Sequence, residues 1–270
     1  MTSLKNEIKD RGNSMNKYMV KWKSILLSAL CILPIAIIGG ITTGLYMLQH
    51  SDPELIETAK AQLGSLEALV AVATMQSVVY ALVAWIVGYF LADRLGLIKP
   101  FKFEINVLKK VVPAILVLGV LFASDYFIFG SMIPEVAQDY EKGISLSYFI
   151  ASLTYGGVIE EVLMRWFFMS LIAFILVMIF ARKKGKTDIP VWIFITANVA
   201  AAFMFAIGHL PATQMFFGEI NGLILFRCFL LNGGFGLFFG RWYRKYGIQY
   251  AMLGHFGLHL VSKLILLCVL

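Results

Sequence analysis

The sequence predicts an all-α fold, a polytopic bundle of transmembrane helices, and three observations predict it. Hydrophobic residues make up 60% of the 270 and charged residues 14%, with a mean hydropathy of +0.81; a soluble domain is nearer half apolar and a quarter charged. Seven apolar runs, roughly 25–48, 68–91, 111–130, 146–180, 189–209, 220–240 and 248–269, are each long enough to cross about 30 Å of hydrocarbon. The connections alternate in charge. Residues 1–24, 49–67, 92–110, 131–143, 182–188, 210–219 and 241–247 carry six, one, five, one, four, no and three Lys/Arg in turn. Short loops rich in Lys/Arg stay on the cytoplasmic side. This puts the N-terminus in the cytoplasm and the C-terminus outside.

Taken in order, residues 1–24 read as a cytoplasmic basic segment and 25–130 as the N-terminal transmembrane helices. The first apolar run exceeds a signal-peptide core and lacks a small-residue cleavage site, so it reads as a retained anchor. Pro34 within it predicts a kink, and residues 53–67 suit a short helix on the outer face. The fourth run, about 35 residues, has room for a surface or re-entrant piece before a span beginning near Leu153, which would make eight elements. In the sixth, Gly233, Gly234, Gly236 and Gly240 either break the helix or admit a close neighbour; the last two have the small-xxx-small spacing. Cys31, Cys228 and Cys268 lack metal or disulfide spacing and read as small core residues. The net charge of +7 is spread over short loops, which argues for a lipid bilayer and against nucleic acid as the partner. No internal repeat is evident, which disfavours an inverted-repeat transporter.

The chemistry concentrates in residues 145–270. Glu160, Glu161 and Arg165 lie within six residues of one apolar run, although each ionisable group at bilayer depth costs at least about 2.5–3.5 kcal/mol. Glu161 and Arg165, one helical turn apart, can pair. Glu160 points about 100° away and is left to face something else. His209 ends the fifth run. His255 and His259 in the seventh are one turn apart on one face, a spacing that lets two imidazoles reach one ion or substrate. Arg165 reads first as the neutraliser of Glu161. Asn198, three turns before His209, is a candidate supporting residue, while Asp125, Arg227 and Asn232 read as packing or interhelical hydrogen bonds. His50, in the first outer loop, reads as a surface residue.

These residues resemble the CPBP intramembrane proteases, which comprise the CAAX prenyl endopeptidases and the bacterial Abi (bacteriocin-processing) proteins. That family places Glu-Glu-x-x-x-Arg, Phe-x-x-x-His and His-x-x-x-(Asn or Asp) in successive spans. Here the motifs are Glu160-Glu161-Val162-Leu163-Met164-Arg165, Phe205-Ala206-Ile207-Gly208-His209 and His255-Phe256-Gly257-Leu258-His259. The resemblance covers about 145–265, so that 145–270 becomes a catalytic core of CPBP type in a multi-pass protein of a bacterial cell membrane. Two positions depart from the pattern: His259 stands where Asn or Asp is usual, and Trp166 follows the arginine where Gly is common.

The resemblance implies an intramembrane endopeptidase acting on a membrane-associated, lipidated or leader peptide, or on a membrane protein. Glu160 and His209 would activate water. His255 and His259 would stabilise the oxyanion, by donation or by holding Zn²⁺ with His209. Histidine at 259 favours the metal, since asparagine is a poor Zn²⁺ ligand. The competing functions are a cation or proton transporter using the same side chains and a bacteriocin-immunity or scaffold protein without turnover. One geometric conflict accompanies all of them. Straight helices at 1.5 Å per residue put Glu160 and His209 about 30 Å from the cytoplasmic loops, but His255 only about 12 Å and His259 about 18 Å. Extended fourth and fifth helices, a tilt, or an inward turn at 241–247 would each reconcile them.

Overall fold

In the computed structural model the described residues form helices and no strand. The structure describes the backbone of residues 2–51 and 53–270, and the side chains of 22, 23, 25–51, 53, 54 and 56–270. The charges that define the basic segment 1–24 lie, residue 23 apart, outside the described side chains. Seven helical stretches are long and apolar enough to cross a membrane: Ile25–His50, Leu66–Leu95, Ile105–Ile128, Leu146–Phe180, Val191–Phe217, Gly222–Tyr246 and Ile248–Val269. The chain is an integral multi-pass membrane protein. The ends differ from the sequence reading by a few residues, as expected where polar caps continue a helix beyond its apolar part.

The first span belongs to α1 (Thr2–His50), which contains Pro34, and a short α2 (Pro53–Leu63) leads to α3 (Leu66–Leu95). Ser65 caps α3 by accepting from the Ala68 amide, and Gly96, at φ +70°, ends it. The third span is α4 (Ile105–Ala123) continued by α5 (Asp125–Ile128), with α6 (Pro134–Glu141) in the connection that follows. The fifth joins α9 (Val191–Gly208) to α10 (Leu210–Phe217), the sixth α11 (Gly222–Cys228) to α12 (Phe235–Tyr246), and the last is α13 (Ile248–Val269).

The fourth run contains no separate surface or re-entrant piece. It is one continuous rod from Leu146 to Phe180, built of α7 (Leu146–Ala151), two π-helical segments (Ser152–Ile159 and Val162–Met169) and α8 (Ser170–Phe180). Nor do the glycines break the sixth run. They end a third π segment (Phe229–Gly234) and then admit neighbours: a Cβ on Gly236 would lie 2.7 Å from the Arg165 guanidinium, and one on Gly240 would overlap the Asn198 amide.

This rod is the axis of the bundle. α1 and α3 pack along one side of it, and α13 and α9 along the other. Ile159, Val162, Met169 and Ala173 along it are essentially inaccessible, whereas Leu30, Val83, Leu116, Val120 and Phe203 point out of the bundle, the arrangement that lipid tails require. With hydrocarbon outside, helices associate through close packing and interhelical hydrogen bonds. Trp166, at the position where the resemblance expects glycine, supplies both: it stacks on Trp85 at 5.0 Å between ring centres, and its indole N–H donates to the Trp85 carbonyl at 2.9 Å. Of the cysteines only Cys228 is buried; Cys31 and Cys268 are exposed on the outside of the bundle, correcting their reading as core.

Two sets of contacts bear on the depths counted for straight helices. The connection that follows the rod meets the chain near Gly96, where Lys186 pairs with Asp93. The start of α13 is held further along the chain from Gly96, where the Gln249 amide donates to the Pro100 and Lys102 carbonyls. The π segments, with more residues per turn, also advance less per residue than the straight count assumes.

Candidate active site

Glu160 and Glu161 are the two residues between the π segments of the rod, and π turns within α-helices are frequent at functional sites. The change of winding sends the two carboxylates different ways. Glu161 turns into the protein and is fully buried; its Oε1 lies 3.0 Å from the Arg165 guanidinium and accepts from His255 Nδ1 at 2.9 Å. Arg165 is also buried. It donates to the Gly236 carbonyl at 3.1 Å and lies over the Phe205 and Phe239 rings at 4.9 and 5.6 Å. The glutamate, the arginine and His255 thus form one charged knot that fixes three helices, as the turn spacing of Glu161 and Arg165 predicts.

Glu160 points instead into a cavity of about 370 Å³. His209, His255 and His259 line the same cavity, so the four residues that the sequence proposes as catalytic are brought together. His209 sits where α9 passes into α10; its Nδ1 is 2.8 Å from the Phe205 carbonyl and can only donate there, which leaves Nε2 facing Glu160 Oε1 at 3.8 Å. His255 Nδ1 is likewise committed to Glu161, and its Nε2 lies 4.0 Å from Glu160 Oε2. Both separations are too long for direct hydrogen bonds and short enough for both imidazoles and the carboxylate to contact one oxygen between them. His255 is held flat between Phe239 and His259, with ring centres at 4.7 and 4.9 Å.

Two glycines set this spacing. A Cβ on Gly157 would fall 2.7 Å from the Phe256 Cα, so α13 approaches the rod backbone to backbone only because that side chain is missing. At Gly156 a Cβ would lie 3.2 Å from His259 Nε2, so the same absence makes room for the ring.

Lys263 is a site neighbour that the sequence reading passes over. It is 2% exposed, its Nζ is 3.5 Å from His259 Nδ1 and 4.4 Å from the centre of the Tyr148 ring. The signal was present: Lys263 follows His259 by four residues in the same apolar span. Asn198 is not brought to the site; its amide donates to the Leu237 carbonyl at 2.9 Å and ties α9 to α12. Asp125 and Arg227 pair with each other, Arg227 Nε donating at 2.8 Å, and the Tyr140 hydroxyl donates to the same carboxylate at 2.7 Å. Burial, and then the facing Asp125, hold the Tyr140 phenol well above its usual value, so it stays a donor. Asn232 lines the cavity and donates to the Cys228 carbonyl at 3.0 Å. His50 lies against Tyr46 at the end of α1, apart from the other histidines.

The donor set bears on Zn²⁺. Among the described residues no group of three His, Cys, Asp or Glu side chains is arranged so that it could hold a metal ion. His259 itself has an amine against its ring. A metal on its Nε2 would leave a proton on Nδ1, directed at the Lys263 amine, and the Nδ1 position itself already faces that amine.

The cavity extends from Glu160 to Asp139 of α6, Phe216 and Phe217 of α10 and Tyr46 of α1. Its lining includes no residue of the basic connections 92–110, 182–188 or 241–247.

A water-sized gap between a carboxylate and imidazoles, inside a seven-span helical bundle, defines a class: membrane-embedded proteins whose cavity offers acid–base groups to a substrate. Comparison with known families narrows it, because residues 142–261 match the type II CAAX prenyl endopeptidase Rce1-like family. The segment that carries the site is thus similar to the CAAX-type proteases. Comparison with curated proteins and with solved structures finds no match.

Proposed function

We propose that this protein is a glutamate-dependent intramembrane endopeptidase that hydrolyses a peptide bond of a membrane-associated peptide or protein. The observation that carries the proposal is the convergence of Glu160, His209, His255 and His259 from three separate spans on one cavity. In this reading Glu160 takes a proton from the attacking water, and His209 Nε2 accepts from the same water and orients it. The carbonyl oxygen becomes an oxyanion received by a donor from α13. Glu160 then returns its proton to the leaving nitrogen as the C–N bond breaks, so that proton and charge balance without a further reactant. Preorganised donors to such an oxyanion contribute about 2.7–4 kcal/mol each.

The reaction proposed runs on side chains alone. Chelation with a membrane-permeant agent should leave turnover within about twofold, since no step calls on Lewis-acid charge; a loss that returns with added Zn²⁺ would overturn this. The cavity ends at the loops poorest in Lys/Arg, so the substrate enters from the extracytoplasmic side. A secreted or leader peptide fits that side better than a cytoplasmic prenylated tail.

The test is a comparison of peptides released from cells carrying the wild type and Glu160→Gln. Products should vanish in the variant while the amount of folded protein stays the same. Retention of most activity sinks the assignment of the base. Protection from a bacteriocin that survives Glu160→Gln would point to a binding role without turnover, and charge movement across proteoliposomes without cleavage to a transporter.

A further inference from the structure

We infer that Lys263 sets the tautomer and orientation of His259, so that Nε2–H of this imidazole serves as the oxyanion donor at the position where the family pattern has Asn or Asp. The inference rests on the reading of the site as a peptidase.

A neutral imidazole has one donor and one acceptor nitrogen. The Lys263 amine approaches Nδ1 at 3.5 Å, and a lysine ammonium brings donors and no acceptor. With Lys263 as the donor, Nδ1 carries the lone pair and Nε2 the proton. Nε2 is the nitrogen that reaches past Gly156 toward the cavity, one turn along the rod from Glu160. Asparagine would offer an amide N–H from this position unaided. Histidine offers one only in this tautomer and with this face of the ring forward, and Lys263 secures both. The lysine has no carboxylate partner among the described residues; its other contact is the face of Tyr148, a cation–π arrangement that holds the amine against His259. A buried amine with a single imidazole to donate to is thereby accounted for.

Lys263 is a positioning residue, and its effect must depend on what stands at 259. Lys263→Met should lower kcat about tenfold, with KM little changed and the thermal midpoint in detergent retained. The same substitution in the His259→Asn background should change kcat less than about twofold relative to His259→Asn alone, because an amide needs no tautomer fixed. Equal losses in both backgrounds, or no loss with His259 present, would overturn the inference. A second readout does not use activity. In protein labelled with 15N-histidine, the His259 signal, assigned by its loss in His259→Asn, should show a protonated Nε2 and an unprotonated Nδ1 whose shift moves in Lys263→Met. A proton on Nδ1, or an Nδ1 shift unmoved by Lys263→Met, overturns the inference as well. Should the wild type prove to have no peptidase activity, the proposed function fails and the nitrogen shifts alone decide the role of Lys263.

Discussion

At the scale of single residues the two neighbouring glutamates have opposite tasks, and the difference lies in their partners. Glu161 shares one oxygen between Arg165 and His255, so it holds helices. Glu160 has no direct hydrogen bond to either imidazole at 3.8 and 4.0 Å, so it can act on a substrate. Arg165→Leu should therefore act on stability: removing one partner of a buried pair costs about 3–5 kcal/mol, measured as a fall in the thermal midpoint in detergent. Arg165→Lys should lose less, since charge remains but the planar contacts to Phe205 and Phe239 do not. Most of the site was legible at this scale. An ionisable residue in an apolar run stands out by its insertion cost, and one-turn spacing paired Glu161 with Arg165 and His255 with His259. What could not be read was the direction of a ring. The commitment of His255 Nδ1 to the Glu161 carboxylate is a contact between helices 94 residues apart in sequence, which no spacing rule reveals.

At the scale of elements the informative part is the rod from Leu146 to Phe180. Hydrophobic periodicity found its length, but the apolar residues all round it hid the π winding, because no stripe remained whose period could be measured. The Gly156-Gly157 pair has no helical pattern to mark it, and its task is visible only where α13 lies against it. Gly157→Ala tests that task. The new methyl, 2.7 Å from the Phe256 Cα, meets backbone that cannot swing aside, and overpacking of this kind costs about 1–3 kcal/mol. Activity on a reporter peptide should fall by at least an order of magnitude, more than the stability loss explains, because α13 carries His255 away from Glu160. An unchanged kcat/KM would show that the close approach is not needed for turnover. Gly156→Ala meets only a ring nitrogen at 3.2 Å and should be the milder of the two.

Over the whole molecule, the span count and the alternation of charge came directly from composition and loop sequence. The convergence of the fourth, fifth and seventh spans did not, since nothing in a periodic pattern says which helices touch. The placement of the cavity gives an orientation to test. In a background without Cys31, Cys228 and Cys268, a cysteine replacing Asp139 should react with a membrane-impermeant maleimide added to intact cells, and one replacing Lys99 should react only after permeabilisation. The reverse pattern would turn the site toward the cytoplasm and reopen the substrate question. Finally, Thr43 and Tyr46 of α1 form part of the cavity wall, yet the match to the protease family begins only at residue 142. The cavity wall is thus shared between the matched segment and a helix outside it. A substitution at Thr43 or Tyr46 would therefore reshape the cavity from outside the segment that carries Glu160 and the histidines.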